Sequence, residues 1–325
     1  MLAHTLEHCG FRTRLAGNIG RPLLDCDDEG VDWWVIELSS YQIADLDARP
    51  SLSVILNLSP EHLDWHGSEA RYRADKLRLA ELAGGRPLVV NAADASLRAA
   101  FTNHSGVRWF NDAGGLRATG GRLFDGAEEY PLTAPPGLPG KHNLSNLAAV
   151  FTVLRVLGVD ETAAAASLGS FHALPHRLQF IGERDGIRFV DDSISSTPVA
   201  TLAALDAYRG EDVTLLLGGL DRGLDWSPYL EGVRERLPVA VIGIPDSGAR
   251  LIREIRASGI RPAGGLHDCD SLDEAMRVAC RLTPRGGVVL LSPGAPSFPH
   301  FRDFRARGRH FADLAGLAPP EHDEA

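Results

Sequence analysis

The chain has 325 residues, of which 44% are apolar and 23% charged, a composition typical of a globular protein long enough for two domains. Its formal net charge of −10 disfavours binding to nucleic acid or to an anionic membrane, so a phosphate ligand would need a local cationic pocket. No apolar run reaches the roughly 18–20 residues that span a bilayer, and the N-terminal stretch lacks the apolar core of a signal peptide.

The four cysteines, Cys9, Cys26, Cys269 and Cys280, show no spacing typical of zinc ligands or of a Cys-x-x-Cys pair. We interpret them as buried or free thiols in a reducing compartment, which predicts a cytoplasmic protein. The acidic residues at 320–325 are interpreted as a frayed end.

The first half of the chain alternates short apolar strands with helical segments. Helices are predicted at 1–8, 71–82, 143–157 and 160–168, and strands at 32–38, 52–57 and 87–91. The glycine-rich stretch at 101–136 predicts a small antiparallel patch. This order is typical of a mostly parallel sheet flanked by helices.

A second strand–helix series begins after a boundary placed between residues 173 and 174. Its strands are predicted at 187–191, 213–217, 239–244 and 287–291, and its helices at 198–208, 247–258 and 271–282. The pattern predicts an α/β chain with two domains, 1–173 and 174–325, the second a smaller Rossmann-like sheet.

Polar clusters follow four of the predicted strands, at 37–40, 57–64, 191–193 and 218–222. The carboxyl ends of parallel strands meet at one edge of a sheet, and ligands of such sheets bind beyond that edge. We therefore expect functional side chains in these clusters.

Two of the candidates suit metal chemistry and a third, Lys76, could act in catalysis, and each has a plainer alternative. Glu37 could supply an oxygen to Mg²⁺ or cap the next helix, and His62 could occupy a second metal position or be solvated. Lys76 lies on a charged helix, where most lysines are simply solvated.

Four further candidates suit nucleotide or carboxylate binding. Asn143 and Asn146 lie on one helical face and could hold a base or phosphate, or could be helix caps. Arg177 could bind phosphate or form an interdomain ion pair. Arg222 follows a glycine-rich turn that could present it to a carboxylate, although such turns are common.

In order and spacing, these clusters resemble those of the Mur ligase family from Gly17 to about Gly316. The matching segments are 17–20, 37–42, 57, 61–64, 72–76, 140–146, 175–177, 192–193, 218–223 and 291–293. The string from Glu37 to Gln42 is similar to that of the glutamate-adding members.

The resemblance implies a reaction in which ATP converts the carboxylate of a nucleotide-linked alanine into an acyl phosphate, which the amine of glutamate then attacks. It implies UDP-N-acetylmuramoyl-alanine and glutamate as substrates, and ATP and Mg²⁺ as cofactors. Glu37 and His62 would hold Mg²⁺, and Lys76 would react with CO₂ to give a carbamate that supplies an anionic ligand for the second metal.

The resemblance also assigns the remaining site residues to three ligands. They are ATP (Asn143, Asn146, Arg177, with Asp192 near the ribose), the muramoyl-alanine side (Asn18, Ser39) and the incoming amino acid (Arg222, Ser297, Phe304).

The family's Gly-rich phosphate-binding loop with its Lys-Ser/Thr pair has no match in the chain. We expect that loop and the domain that binds the uridine nucleotide to lie upstream, so that the chain begins about one element late. We further expect these 325 residues alone to have little or no ligase activity.

A second departure concerns the isomer of glutamate. D-Glutamate ligases of the family usually have Asp-Ser-Lys where this chain has Asp192, Ser193 and Ile194. Loss of a cation there changes how a dicarboxylate can be held. The stretch from Ser292 to Ser297 also departs from the usual pattern, and both departures resemble a divergent branch of the family that adds L-glutamate. On that resemblance we favour L-glutamate over D-glutamate.

Two rival interpretations stay open. One is a folylpolyglutamate-type or cyanophycin-type ligase, which folate as an acceptor would distinguish. The other is a nucleotide-binding remnant of the family without catalysis. We expect a monomer with no nucleic acid or membrane partner.

Overall fold

The computed structural model describes residues 1–317, apart from 19–20, 28, 60, 133–137 and 139 and apart from the side chain of Asp64. Some sequence-based interpretations fall outside this part. They concern Ile19 and Gly20 of the first motif, Pro60, the Asp64 side chain, part of the stretch at 101–136, and the tail at 320–325.

The contacts divide the chain into two compact units, close to the predicted boundary. The N-terminal unit comprises Met1–Pro135 and Lys141–Phe171, and the C-terminal unit comprises Pro136–Gly140 and His172–Ala325. None of the helices in the described part of the chain has both the length and the apolar character that a bilayer crossing requires.

The N-terminal unit alternates helices and strands. In chain order these are α1 (Leu2–His8), β1 (Thr13–Gly17), β2 (Trp33–Glu37), α2 (Ser40–Asp45), β3 (Ser53–Ile55), α3 (Leu63–His66), α4 (Glu69–Ala83), β4 (Leu88–Asn91), α5 (Ala95–Phe101), β5 (Val107–Phe110), β6 (Leu116–Thr119), β7 (Arg122–Asp125), β8 (Glu128–Tyr130), α6 (Lys141–Leu157) and α7 (Glu161–Ser167).

Parallel strands β1 and β2 form one small sheet, and β3, β4 and β5 form another with parallel pairing throughout. Helix α6 buries Leu147, Phe151 and Leu154 in a core shared with residues from both sheets, such as Val35 and Val89. The long apolar face of α6 therefore organises the unit.

The predicted antiparallel patch is correct for β6, β7 and β8 but wrong for β5. Strand β5 pairs in parallel with β4, with Leu88 opposite Val107. Helix α5 supplies the crossover that a parallel pair requires. Asp94 starts this helix by accepting hydrogen bonds from the backbone N–H groups of Ser96 and Leu97 at 2.9 and 3.0 Å.

The C-terminal unit is a six-stranded sheet covered by helices. Its elements are β9 (Gln179–Arg184), β10 (Ile187–Asp191), α8 (Pro198–Ala207), β11 (Val213–Leu217), α9 (Ser227–Gly232), β12 (Ala240–Gly243), α10 (Gly248–Ala257), β13 (Leu266–Asp268), α11 (Leu272–Leu282), β14 (Val288–Leu291) and α12 (Phe304–Ala315).

The strand order in this sheet is β13-β12-β11-β14-β10-β9, parallel except for the edge strand β9. Alternate residues of β11 pack into hydrophobic cores on opposite faces of the sheet. Leu215 packs with residues of α8, α9 and α10, whereas Leu216 packs with residues of α11 and α12. Helices on both faces of a mostly parallel sheet confirm the predicted α/β class and its Rossmann-like pattern.

Candidate functional site

In the N-terminal unit, the ends of β1 and β2 approach so closely that only glycine fits at position 17. Gly17 has a φ of 100°, and a Cβ there would overlap the carbonyl oxygen of Glu37. The next residue, Asn18, donates its backbone N–H to that carbonyl at 2.8 Å and its side-chain Nδ2 to Glu37 Oε1 at 3.2 Å. The structure thus brings two predicted site residues together and orients the Glu37 carboxylate.

Ser39 begins helix α2 with a reciprocal cap. Its hydroxyl accepts the Gln42 backbone N–H at 3.2 Å, and the Gln42 side chain accepts the Ser39 backbone N–H at 2.8 Å. The predicted substrate contact of Ser39 stays a prediction. A hydroxyl that accepts one hydrogen bond can still donate its own hydrogen to a ligand.

Lys76 lies on α4 in a half-buried position, with Nζ 5.8 Å from the centre of the Tyr72 ring. Burial lowers the pKa of Lys76, and the nearby negative charges of Glu61 and Glu37 oppose part of this shift. Burial and the Glu61 charge raise the pKa of Tyr72 to about 12. Two carboxylates and a lysine with an enlarged neutral fraction therefore share one neighbourhood.

His62 precedes helix α3 with a left-handed backbone, at a φ of 54°. Its ring centre lies 4.9 Å from that of Tyr41. Within the described residues, no three His, Cys, Asp or Glu side chains converge tightly enough to hold a metal ion by themselves. The predicted metal role of His62 stays a prediction.

Asn143 and Asn146 lie in the first two turns of α6, where the Nδ2 of Asn146 lies 3.4 Å from the Oδ1 of Asn143. The two amides meet on one helical face, as their spacing predicts. Asn143 is buried and Asn146 is partly accessible.

In the C-terminal unit, two adjacent aspartates at the end of β10 fix the turn that carries Arg177. Asp191 Oδ2 lies 2.6 Å from His176 Nδ1, and Asp192 Oδ1 accepts the backbone N–H of Leu178 at 3.2 Å. Both residues that flank Arg177 have left-handed backbones, with φ of 61° at His176 and 47° at Leu178. Arg177 itself is exposed, so the turn is fixed on both sides while its guanidinium faces outward.

The Asp192 carboxyl faces inward, since it is only 5% exposed and its Oδ2 accepts a hydrogen bond from Ser292 Oγ at 2.7 Å. Burial raises the pKa of Asp192 to about 7, against the opposing effects of its hydrogen bonds with Ser292 and Leu178 and of the Arg177 charge. The predicted ribose contact of Asp192 is not visible in this arrangement and stays a prediction. What the structure does show is a role in holding the Arg177 turn.

The loop after β11 carries Arg222 and is fixed through its neighbour Asp221. The Asp221 carboxylate receives two hydrogen bonds from Arg250 on α10, at 2.6 and 2.8 Å, and the backbone N–H of Gly223 at 2.9 Å. The paired hydrogen bonds from Arg250 hold the pKa of Asp221 below its usual value. Arg222 is exposed at the tip of this braced loop.

Ser297 and Phe304 lie near the start of α12. Ser297 lines a pocket of about 260 Å³ at the carboxyl ends of the strands, together with Pro245, Asp270 and His300. The Phe304 ring meets the His176 ring edge-on, with 5.8 Å between the ring centres. Phe304, which is predicted to contact the incoming amino acid, therefore lies beside the Arg177 turn.

Sequence reasoning missed Arg307, which is 1% exposed. Its guanidinium donates to Ser193 Oγ at 3.0 Å, Ser193 O at 2.8 Å and Ala295 O at 3.0 Å. Burial lowers the pKa of Arg307 to about 10, although the Asp191 charge opposes the shift. A signal existed, because Gly308, Phe311 and Ala315 mark a buried face of α12 and Arg307 adjoins it.

A second missed group lies in the N-terminal unit. The buried His66 on α3 contacts Asp75 on α4 and Ser40 on α2. No short-range pattern links three residues so far apart in the sequence.

Comparison with protein families identifies both units. The Mur ligase middle domain matches residues 13–154, and the Mur ligase glutamate ligase domain matches residues 176–294.

Curated relatives extend the likeness over nearly the whole chain. The UDP-N-acetylmuramoyl-L-alanine–L-glutamate ligases of Xanthomonas euvesicatoria pv. vesicatoria (strain 85-10) and Xylella fastidiosa (strain 9a5c) are each 46% identical over 98% of this chain, which covers 69% of theirs. The ligase of the same name from Micromonospora sp. is 42% identical over 96% of this chain and 70% of its own.

Solved structures share the fold at lower identity. The MurF ligase of Thermotoga maritima in complex with ADP superposes with a TM-score of 0.74 at 19% identity, covering 96% of this chain and 75% of that one. E. coli FolC in complex with ADP gives 0.65 at 15% identity, covering 97% and 86%.

Proposed function

This chain belongs to the Mur ligase family, and we propose on that basis that it joins L-glutamate to UDP-N-acetylmuramoyl-L-alanine in an ATP-dependent step of peptidoglycan precursor synthesis. The observation that carries the proposal is the 46% identity to L-glutamate ligases over 98% of the chain. Ile194, in place of the lysine usual in D-glutamate ligases, supports the same isomer.

The reaction requires activation, because a carboxylate and an amine do not condense in water. The γ-phosphoryl group of ATP would pass to the alanine carboxylate, releasing ADP. The glutamate amine would then attack the acyl phosphate, forming the amide and releasing phosphate. The residues of this chain would bind, orient and shield these groups rather than react covalently with them.

The donor set around Lys76 fits Mg²⁺. Glu37 and Glu61 offer carboxylate oxygens there, and Mg²⁺ takes only one or two protein carboxylates while retaining water and phosphate oxygens. Glu37 and His62 would hold Mg²⁺, and Lys76, as its carbamate, would supply an anionic ligand for a second metal ion. When bound, Mg²⁺ would neutralise charge on the transferring phosphoryl group.

Lys76 suits carbamate formation because the neutral amine is the form that attacks CO₂. Burial lowers its pKa and so increases that fraction. The sequence has just two lysines, Lys76 and Lys141, among its 33 basic Lys and Arg residues. A charge-only role at position 76 could be filled by arginine, as at nearly every other cationic position of this chain.

The other site residues would divide between the ligands. Asn143 and Asn146 would contact ATP, with Arg177 on its phosphates and Asp192 holding the Arg177 turn. Asn18 and Ser39 would face the muramoyl-alanine, while the glutamate side falls to Arg222, Ser297 and Phe304. Arg177 and Arg222 are exposed on loops that hydrogen bonds hold in place, which suits binding of the anionic groups of ATP and of glutamate.

An isomer assay tests the substrate. The native gene product is incubated with UDP-N-acetylmuramoyl-L-alanine, ATP and MgCl₂ and with either L- or D-glutamate, and the product is resolved on a chiral column. We expect amide only from L-glutamate and none after chelation of Mg²⁺. Turnover of D-glutamate alone would contradict the proposed isomer, and ATP binding without turnover of either would favour a non-catalytic remnant.

The chain provides a matched pair of variants for Lys76. Lys76→Arg keeps the positive charge but cannot form the carbamate, so we expect ligation to be lost. Lys141→Arg, which changes an exposed lysine, should retain it. Equal activity of the two variants would remove Lys76 from the proposed chemistry.

A further inference from the structure

We propose that His66 is a positioning residue that fixes the mutual placement of Glu37, His62 and Lys76. The inference rests on the function proposed above. It assigns a role to a buried side chain to which the sequence analysis gives none. It is built on two sets of contacts within the N-terminal unit and on the chain positions of the residues that make them.

The first set is a buried chain of hydrogen bonds across three helices. His66 Nδ1 lies 2.8 Å from Asp75 Oδ2, and His66 Nε2 lies 3.0 Å from Ser40 Oγ. Arg71 Nε also contacts the Asp75 carboxylate, at 3.0 Å from Oδ1. An ionised carboxylate only accepts, so Nδ1 donates to Asp75, which leaves Nε2 as the hydrogen-bond partner of the Ser40 hydroxyl. Both ring nitrogens are therefore satisfied, and the ring cannot rotate without losing a buried hydrogen bond.

The second set is a cage of aromatic rings around the same imidazole. The centres of the Tyr41, Trp65 and Tyr72 rings lie 5.6, 4.6 and 5.3 Å from that of His66. Two of these rings also contact the site. Tyr41 meets His62 at 4.9 Å, and Tyr72 lies 5.8 Å below the amine of Lys76.

The third observation is where the hydrogen-bond partners lie in the chain. Ser40 opens helix α2, shortly after Glu37 at the end of β2. His66 ends helix α3, one turn beyond His62. Asp75 directly precedes Lys76 on α4. Each of the three residues proposed for the metal side thus lies within four residues of a member of the His66 network.

These contacts define what His66 does. A serine, histidine and aspartate in this order resemble a hydrolase triad, but Ser40 and His66 are only 4% and 6% exposed, so a substrate cannot reach the hydroxyl. The network instead couples α2, α3 and α4 rigidly. Residues that orient metal ligands from behind typically change metal affinity or activity 10–100-fold when replaced.

The test uses the native full-length protein and two measurements. One is the ¹³C signal of the lysine carbamate in ¹³C-bicarbonate with MgCl₂ and without ATP, assigned by its loss in Lys76→Arg. The other is the Mg²⁺ concentration that gives half-maximal ligation. His66→Gln is compared with His104→Gln, which alters an exposed histidine of the same unit.

We expect His66→Gln to lose most of the carbamate signal. Its half-maximal ligation should require at least roughly tenfold more Mg²⁺ than that of the wild type. His104→Gln should match the wild type in both. A folded His66→Gln protein with unchanged signal and unchanged Mg²⁺ dependence would overturn the inference and show a merely structural histidine. A wild type without any Lys76 signal would count against the proposed role of Lys76 and overturn this inference with it.

Ser40→Ala decides the matter if His66→Gln does not fold. It removes one hydrogen bond and leaves the Asp75 contact and the aromatic cage intact. We expect a smaller shift in the same direction in both measurements. Wild-type behaviour of Ser40→Ala would then overturn the inference.

Discussion

The imidazole of His176 and the carboxylate of Asp191 meet at 2.6 Å beneath helix α12, in space that Gly308 leaves free. A Cβ at position 308 would overlap both Nδ1 of His176 and Oδ2 of Asp191. The helix, the end of β10 and the turn that presents Arg177 therefore share one contact.

Gly308→Ala should destabilise the C-terminal unit although alanine favours helices. Helix propensity offers about 1 kcal/mol, whereas forcing apart a buried hydrogen-bonded pair costs about 1–3 kcal/mol or more. Denaturant unfolding followed by circular dichroism gives the free energy. Gly169→Ala, where an added Cβ meets nothing within 4 Å, is the control. A more stable Gly308→Ala protein would show that the pair can move aside at little cost.

Arg307→Met should lower the free energy of unfolding by about 2–4 kcal/mol. The substitution relieves a desolvated charge, but it leaves the carbonyls of Ser193 and Ala295 and the Ser193 hydroxyl without their buried donor. We expect the loss of these hydrogen bonds to exceed the relief. Arg302→Met, at a side chain 81% exposed, should change stability little. Equal unfolding midpoints for the two variants would contradict this ranking.

Asp192 should make the C-terminal unit less stable as the pH rises. Its folded pKa is about 7, above the unfolded value of 3.8, so between these values the unfolded chain releases a proton that the folded protein retains. The contribution is fully present below about pH 4 and is lost through pH 7, by up to about 4 kcal/mol.

Asp192→Asn isolates this effect. The amide oxygen can still accept from Leu178 N–H, and the amide nitrogen can donate to the Ser292 hydroxyl. Urea unfolding at several values between pH 4.5 and 8 should therefore show a flatter pH profile for the variant. Parallel profiles for variant and wild type would mean that Asp192 is not the group responsible.

Arg250→Gln should weaken glutamate binding more than it slows turnover, if Arg222 has its proposed role. The substitution removes two hydrogen bonds that hold Asp221 and so loosens the loop that presents Arg222. A loss of about 1 kcal/mol corresponds to a roughly fivefold higher KM for glutamate. Arg253→Gln, an exposed position on the same helix, serves as the comparison. A fall in kcat alone, with KM unchanged, would separate Arg222 from glutamate binding.

The sequence predicts the elements whose signal is local. The four parallel strands predicted for the C-terminal unit are present because their apolar runs are buried on both faces. The β9–β10 hairpin was missed although Asp185 and Gly186 form its turn, with φ of 57° and 77°. Strand β9 has an exposed Phe180 and a central Gly182, which hide its periodicity.

Among the site residues, too, those with a local sequence signal can be predicted and those held by distant contacts cannot. Glu37, Lys76 and Arg177 stand in strings of adjacent residues that a reader of the sequence can recognise. The residues that hold them in place are not part of such strings. His66 contacts Ser40, which is 26 positions away in the sequence, and Arg307 contacts Ser193, which is 114 positions away. Only tertiary packing brings such partners together.

The position of β14 has a consequence for how the protein forms during synthesis. This strand lies between β11 and β10 in the middle of its sheet, yet it is the last strand of the sheet to leave the ribosome. Until it emerges, the β9–β10 hairpin and the β11–β12–β13 group have unpaired inner edges and no shared core. These pairings join residues up to a hundred positions apart, so closing the loops between them costs entropy. That cost is incurred in one late step, the pairing of β14. Nascent chains that stall before residue 288 should therefore be the form most in need of a chaperone.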